Sequence, residues 1–382
     1  MPDTVTGLGA IWQRVSCLGR IQFSAMRLPG CLLIEAAVAS MLVAGGSLIG
    51  ARALIEIRSA VSTHRASPPR APAAKRLGLR PRQDLSGDSS GDVMIDSPGT
   101  FLGMSDDLLL DRMRTQSVTR IKLNHGGSSL SFRIDFADGS RAAWKPAQTN
   151  AQTVPRKEVA AYRLNRLLGL NAVPPAASRA ITREDLFGLL HPDSMPALPR
   201  IRSETIIGPS GMIAGEASYW IPVIKDCEFD TPDGHLEMIG WLTQGEPVPF
   251  QYRSLAAQVA VMVVFDFLIA NPDRRSGGNM KTSEDGSQLF FMDNTMSFFL
   301  DPEGTEKNRQ VFLKSQRFSR GLNLALGRVE IPTLRRLMRE PDGTDVLTEA
   351  EIRAVVRRRE FVQRTVASLI KQYGERNVLW FP

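Results

Sequence analysis

The chain has 382 residues, 43% of them hydrophobic and 23% charged, a globular composition long enough for two ordinary domains or one large two-lobed domain with added segments. The net charge of +7 does not imply a nucleic-acid partner: residues 1–100 hold 11 Lys/Arg against 7 Asp/Glu, whereas the rest holds 36 against 33 and is nearly neutral. Cys17, Cys31 and Cys227 make no disulfide framework, and His64, His125, His191 and His235 are too scattered for a structural zinc site.

Residues 1–30 read as a leader. Residues 31–50, CLLIEAAVASMLVAGGSLIG, are apolar over a length that can cross a bilayer, with one charge at Glu35, so a transmembrane helix is expected over 31–52. An ionisable group in such a span marks function or a partner. The run Met26-Arg27-Leu28-Pro29-Gly30-Cys31-Leu32-Leu33-Ile34-Glu35 resembles the processing site of type IV prepilins and pseudopilins, where cleavage follows a Gly and a Glu stands fifth in the mature helix; Met26 is then an alternative start to Met1. Residues 53–100, rich in Pro, Ser, Arg and Gly, read as a disordered linker. The expected setting is a single-pass protein of a bacterial inner membrane, and Arg residues on both flanks of the span leave its orientation open.

Ordered alternation begins near residue 101. Strands are expected over 117–124 and 129–136 around the turn Asn124-His125-Gly126-Gly127, then a hairpin at Asp138-Gly139 leading to Ala142-Ala143-Trp144-Lys145. The spacing predicts a helix over 156–169 stopped by Gly169, a strand within 212–224 through Tyr219-Trp220-Ile221-Pro222-Val223, a long apolar helix over 253–270, a buried strand at Leu289-Phe290-Phe291-Met292, and a helix over 347–372 whose Arg357-Arg358-Arg359 run reads as a solvated face. Strands first and helices afterwards predict an α+β fold of two lobes, mostly β over 101–225 and mostly helical over 226–382.

Phosphoryl transfer needs a lysine on nucleotide phosphates, a carboxylate to hold it, a base beside the acceptor hydroxyl, and metal ligands. The sequence offers these in order. Lys145 ends a strand, Glu158 opens the next helix, Asp273 sits in a polar loop after the long helix, and Asp293 follows a buried strand. Each has a plainer reading: a strand-end lysine, a helix N-terminal acid, and two turn residues.

The stretches LSFRIDFADGSRAAWKP, KEVAAYRLNRLLGLNAVPPA, DFLIANPDRRSGGNM and FFMDNTMSFF resemble the secretory-pathway kinases of the four-jointed and Golgi casein kinase group, and more distantly the HipA-type and phosphatidylinositol 3/4-kinase folds. The resemblance spans about residues 115–300. It implies a two-lobed protein-kinase-like fold using ATP with Mg²⁺ or Mn²⁺, with Lys145 on ATP, Glu158 orienting it, Asp273 as base, Asp293 on the metal, and Gly126 and Gly127 in a turn that approaches the phosphates. Asn279 is the corresponding second metal ligand, although it stands six residues after Asp273 where the HRDxxxxN loop has five. The turn after Asp293 lacks the usual glycine. The acceptor implied is a hydroxyl, Ser/Thr of a protein first; alternatives are a phosphoinositide or sugar kinase, and a catalytically inactive membrane- or pilus-associated binding protein.

Overall fold

The computed structural model describes residues 99–382, except 228, 230, 276 and 277. The leader, the pilin-like site, the span at 31–52 and nearly all of the linker lie outside these residues. The linker's end does not: Thr100, placed in it from sequence, forms strand β1 (Thr100–Phe101), which pairs with β2 (Met104–Ser105) because Phe101 is an apolar anchor buried against Tyr219 and Phe290.

The first part is a five-stranded antiparallel sheet in the order β3-β4-β5-β9-β6, made of Val118–Leu123, Phe132–Phe136, Arg141–Pro146, Gly215–Tyr219 and Ala176–Ser178 respectively. Alternation along β5 decides the site. Trp144, with its register partners Phe132 and Ala217, enters the core on one face, which Leu186 and Ile201 help to close. Lys145, one residue on, points to the other face with its partner Glu216. Helix α2 (Arg156–Leu167) covers that face, whereas Met113 of helix α1 (Asp106–Thr115) joins the Trp144 cluster on the opposite one. β4 starts three residues later than the alternation suggested, since both backbone polar groups of Leu130 are taken by the side-chain amide of Gln148 and not by a strand. β9 stops at Tyr219, short of the expected Val223, as Pro222 has no N–H for a ladder.

The second part is built on helix α6 (Arg253–Ile269). With the turn before it, over Phe250–Ile269, this mostly apolar helix is long enough to span a bilayer, but 83% of its most hydrophobic window is buried within the protein, as expected of a core helix. It stops where Ala270 turns left-handed at φ 52°, with Asn271 N–H closing on Asp266 O and Pro272 following. β10 (Lys225–Asp226), β11 (Met280–Thr282) and β12 (Leu289–Phe291) form a small antiparallel sheet beside it. Helix α10 (Glu349–Tyr373), begun by a Thr348/Glu351 capping box, packs on α6. Its Arg357-Arg358-Arg359 run is not a solvated face. Arg358 is fully buried and donates to the carbonyls of Leu268, Phe299 and Asp301, tying α10 to the end of α6. Burial lowers its pKa to about 10.

Candidate active site

Three elements, two of them consecutive in the chain and the third far along it, deliver charged groups to one place. Lys145 comes from the end of β5, Glu158 from the first turn of α2, and Asp293 from the turn after β12. The Lys145 ammonium meets Asp293 Oδ1 at 2.5 Å. Glu158, expected to reach the lysine, makes its hydrogen bonds elsewhere: Oε2 accepts from the Asn294 backbone N–H at 2.5 Å and Oε1 from the Asn294 side-chain amide at 2.8 Å. Its charge still acts on Lys145.

Electrostatics sort these groups. Burial pulls Lys145 down, but the carboxylates of Asp293, Glu158 and Glu216 more than offset it, and the net shift is upward. For Asp293, burial is outweighed by the charge and hydrogen bond of Lys145 and by the Thr295 hydroxyl at 2.7 Å, so the carboxyl titrates below its usual range. Burial raises Glu158, with Lys145 opposing. Glu216 is pushed well above the usual range by burial and then by Glu158, though Lys145 and a 2.6 Å hydrogen bond from Ser218 Oγ act against the shift.

Asp293 has φ 50°, a left-handed conformation that Asp tolerates better than most residues. The bend is therefore made at Asp293 itself and no glycine is needed after it. Asn294 O accepts from Ser297 Oγ, closing the turn.

Asp273 lies in the loop that leaves α6. Asn271 Oδ1 accepts from the Asp273 backbone N–H at 2.9 Å, and Asn279 Nδ2 donates to both Asp273 O and Oδ2 at 3.0 Å. Asn271 also donates to Asp293 O at 3.4 Å, so one side chain links the two loops. The Asn279 nitrogen is thus committed to Asp273, leaving its Oδ1 as the atom that can face a cation. Gly126 and Gly127 lie in the β3–β4 loop, which leaves the sheet at the Lys145 end; both have positive φ, with open space where a Cβ would stand.

The residue that joins these parts is Arg274, which the sequence reading passed over. It is buried at 1% exposure; its Nε contacts Asp266 Oδ1 at 3.0 Å, and its terminal nitrogens donate to the carbonyls of Asn279 and Met292 and to Asn294 Oδ1. A sequence signal existed: Asp266 is the single acid in an otherwise apolar helix, and a buried acid requires a partner. Glu216 and Asn294 were missed as well. Glu216 could have been found as the one charge in the strand that faces Lys145.

The chain matches a glycosaminoglycan xylosylkinase of Danio rerio at 22% identity over 315 residues, 71% of this chain and 76% of the relative. The crystal structure of the Golgi casein kinase with Mn/ADP bound superposes with a TM-score of 0.54 at 12% identity, covering 72% of this chain and 78% of that one. The structure of hydra Fam20 with sugar does so with a TM-score of 0.54 at 18% identity, over 76% and 98%. The chain has their kinase-like fold. No protein-family model matches. The α+β, two-part architecture expected from the sequence is therefore shown, and the resemblance to secretory-pathway kinases read from the motifs is matched by similarity over 71–76% of the chain.

Proposed function

We propose that the protein is an ATP- and divalent-metal-dependent kinase that transfers the γ-phosphate to a hydroxyl, with Ser/Thr of a protein as the acceptor. The observation that carries this reading is the buried ammonium of Lys145 held by Asp293 beside Glu158, three groups supplied by three separate elements. Lys145 binds the nucleotide phosphates. Asp273, fixed by Asn271 and Asn279, takes the proton from the acceptor hydroxyl as its oxygen bonds to the γ-phosphorus and the bond to ADP breaks. Glu158 positions Asp293 through Asn294.

Among the described residues no three His, Cys, Asp or Glu side chains group to form a metal cage. Asp293, about one-third exposed, and Asn279 Oδ1 offer one carboxylate and one amide oxygen. That suits Mg²⁺ or Mn²⁺, which take one or two carboxylates and fill the remaining positions with water and phosphate oxygens. Such an ion supplies neutralisation of phosphate charge. Gly126 and Gly127 fit a turn that lets backbone approach the phosphates.

A second reading, a sugar hydroxyl as acceptor, is favoured by the match to a xylosylkinase. The apolar run at 31–50 supports single-pass membrane attachment, with 101–225 and 226–382 as the two lobes of the catalytic part. The test uses the full-length chain with radiolabelled ATP and Mg²⁺ or Mn²⁺, offered either casein or a xylose-containing glycan. Label on casein supports the first acceptor and label on the glycan the second. No label on either, together with no thermal shift on adding ATP and metal, overturns the kinase reading.

A further inference from the structure

Three successive residues in the first turn of α2 each bind a different part of the chain. Arg156 holds Glu351 of α10 through two parallel contacts, NH1 to Oε2 at 2.8 Å and NH2 to Oε1 at 2.9 Å, and donates to Val346 O at 2.7 Å. Lys157, buried, donates to Ser297 O, lies 3.8 Å from Glu351 Oε1, and sits 5.1 Å over the Phe299 ring. Glu158 holds Asn294. The same α2 turn therefore grips α10, the segment after Asp293, and the residue adjacent to Asp293.

Nothing local explains this arrangement. The N-terminus of α2 has no side-chain cap of its own, since Pro155 stands at the cap position. The other end of α2 is held from the C-terminal helices too: Arg163 contacts Glu340 Oε2 at 2.8 Å and Leu337 O at 3.0 Å, and Arg328 reaches Leu167 O at 3.4 Å. Glu351 is 6% exposed, and its carboxylate also accepts from Thr348 N–H at 2.8 Å to cap α10.

We infer that Glu351 is a positioning residue for phosphoryl transfer: with Arg156 and Lys157 it clamps α2 to the start of α10, and through Glu158 and Asn294 that clamp fixes the Asp293 turn. This rests on the kinase reading above. The physical reason is geometric. A rotation or withdrawal of α2 cannot leave Asn294 in place, because Glu158 holds both its backbone and its side chain, and transfer by positioned charges tolerates little displacement. The pair geometry is the strong, bidentate kind, and its Glu351 side is buried while the Arg156 side chain is about one-third exposed. The Glu351 carboxyl titrates below its usual range: burial would raise it, but the bonds from Arg156 and Thr348 prevail.

The test compares full-length wild type with Glu351→Gln and Arg156→Ala. Gln still serves at the third position of a capping box, so Glu351→Gln keeps the α10 cap while removing the ion pairs. We expect kcat to fall by about tenfold to a hundredfold with the KM for ATP changing less than about threefold, because groups of the transition state are displaced and not the binding of the nucleotide. Hydrogen exchange in residues 156–162 and 292–297 is expected to accelerate by about tenfold while the α6 core stays protected. Arg156→Lys is expected to recover part of kcat, since it restores the charge without the fork. Unchanged exchange in both segments overturns the clamp, as does faster exchange with kcat intact. If the wild type transfers no phosphate and shows no ATP-dependent thermal shift, the kinase reading fails instead, and exchange at 292–297 alone decides whether Glu351 governs the Asp293 turn.

Discussion

Glu158 holds Asn294 by two atoms at once, the backbone N–H and the side-chain amide, and so couples the first turn of α2 to the turn that carries Asp293. Replacing Asn294 by Ala removes one of these donors and also takes away the side-chain oxygen that accepts from one terminal nitrogen of Arg274. The buried Glu158 carboxylate then keeps only the backbone bond. Asn294→Ala is expected to cost about 1–3 kcal/mol in stability by urea unfolding. Asn294→Asp should be worse, as it adds a third carboxylate beside Glu158 and Asp293; equal stability of the two variants would count against the coupling.

Among the described residues, Lys145 is the ammonium on which the charges of Glu158, Glu216 and Asp293 act together. Lys145→Met leaves those carboxyls without their countercharge, so a lower Tm is expected together with loss of transfer. Asp293→Asn removes one acid from the same group and is expected to leave Tm within a few degrees of wild type, while transfer falls by about a hundredfold or more. Thermal unfolding of both variants without nucleotide checks the contrast. A larger loss of Tm in Asp293→Asn than in Lys145→Met would mean that the lysine is not the group balancing the site.

Arg274 and Asp266 form a buried ion pair at 3.0 Å. Removing one partner strands the other, so Arg274→Met is expected to destabilise by about 3–5 kcal/mol, measured by denaturant unfolding. Arg274→Met combined with Asp266→Leu should recover a large part of that loss. Transfer activity should not return in the double variant, since the bonds from Arg274 to Asn279, Met292 and Asn294 that hold both loops are still missing.

That pair also shows what was legible in the sequence and what was not. The strands and helices that carry Lys145, Glu158, Asp273 and Asp293 follow from alternation, helical period and turn residues, all local properties. Lys145 and Glu158 come together from neighbouring elements, and their convergence with Asp293 could be anticipated from order alone. The partners could not. Arg274 stands beside Asp273 in a loop that reads as solvated, and only the packing of α6 against β12 buries it. Arg358 is similar: three consecutive arginines look like a polar face, yet helical spacing leaves Arg357 exposed and turns Arg358 to the carbonyls at the end of α6. Glu351, on the last long helix, has no local signal beyond its capping box; its pairing with Arg156 is a product of tertiary contact.

Glu216 gives the protein a pH signature. Its carboxyl is raised well above the usual range by burial and by Glu158, so between its unfolded value, about 4.3, and its higher folded value the native state holds a proton that the unfolded state has lost. The contribution of this group to stability is present in full below the unfolded value and disappears as pH rises through the folded one. Gln at this position is neutral and of similar shape, keeps an acceptor for Ser218, and does not titrate. The difference in Tm between Glu216→Gln and wild type, measured without nucleotide or metal, is therefore expected to shift in favour of the variant from pH 5 to pH 8. The titrations of Asp293 and of the surface ion pairs are common to both proteins and drop out of the comparison to first order. A difference that stays constant across this range, or that moves in favour of wild type with rising pH, would show that Glu216 is already ionised and balanced by Lys145 in the folded protein.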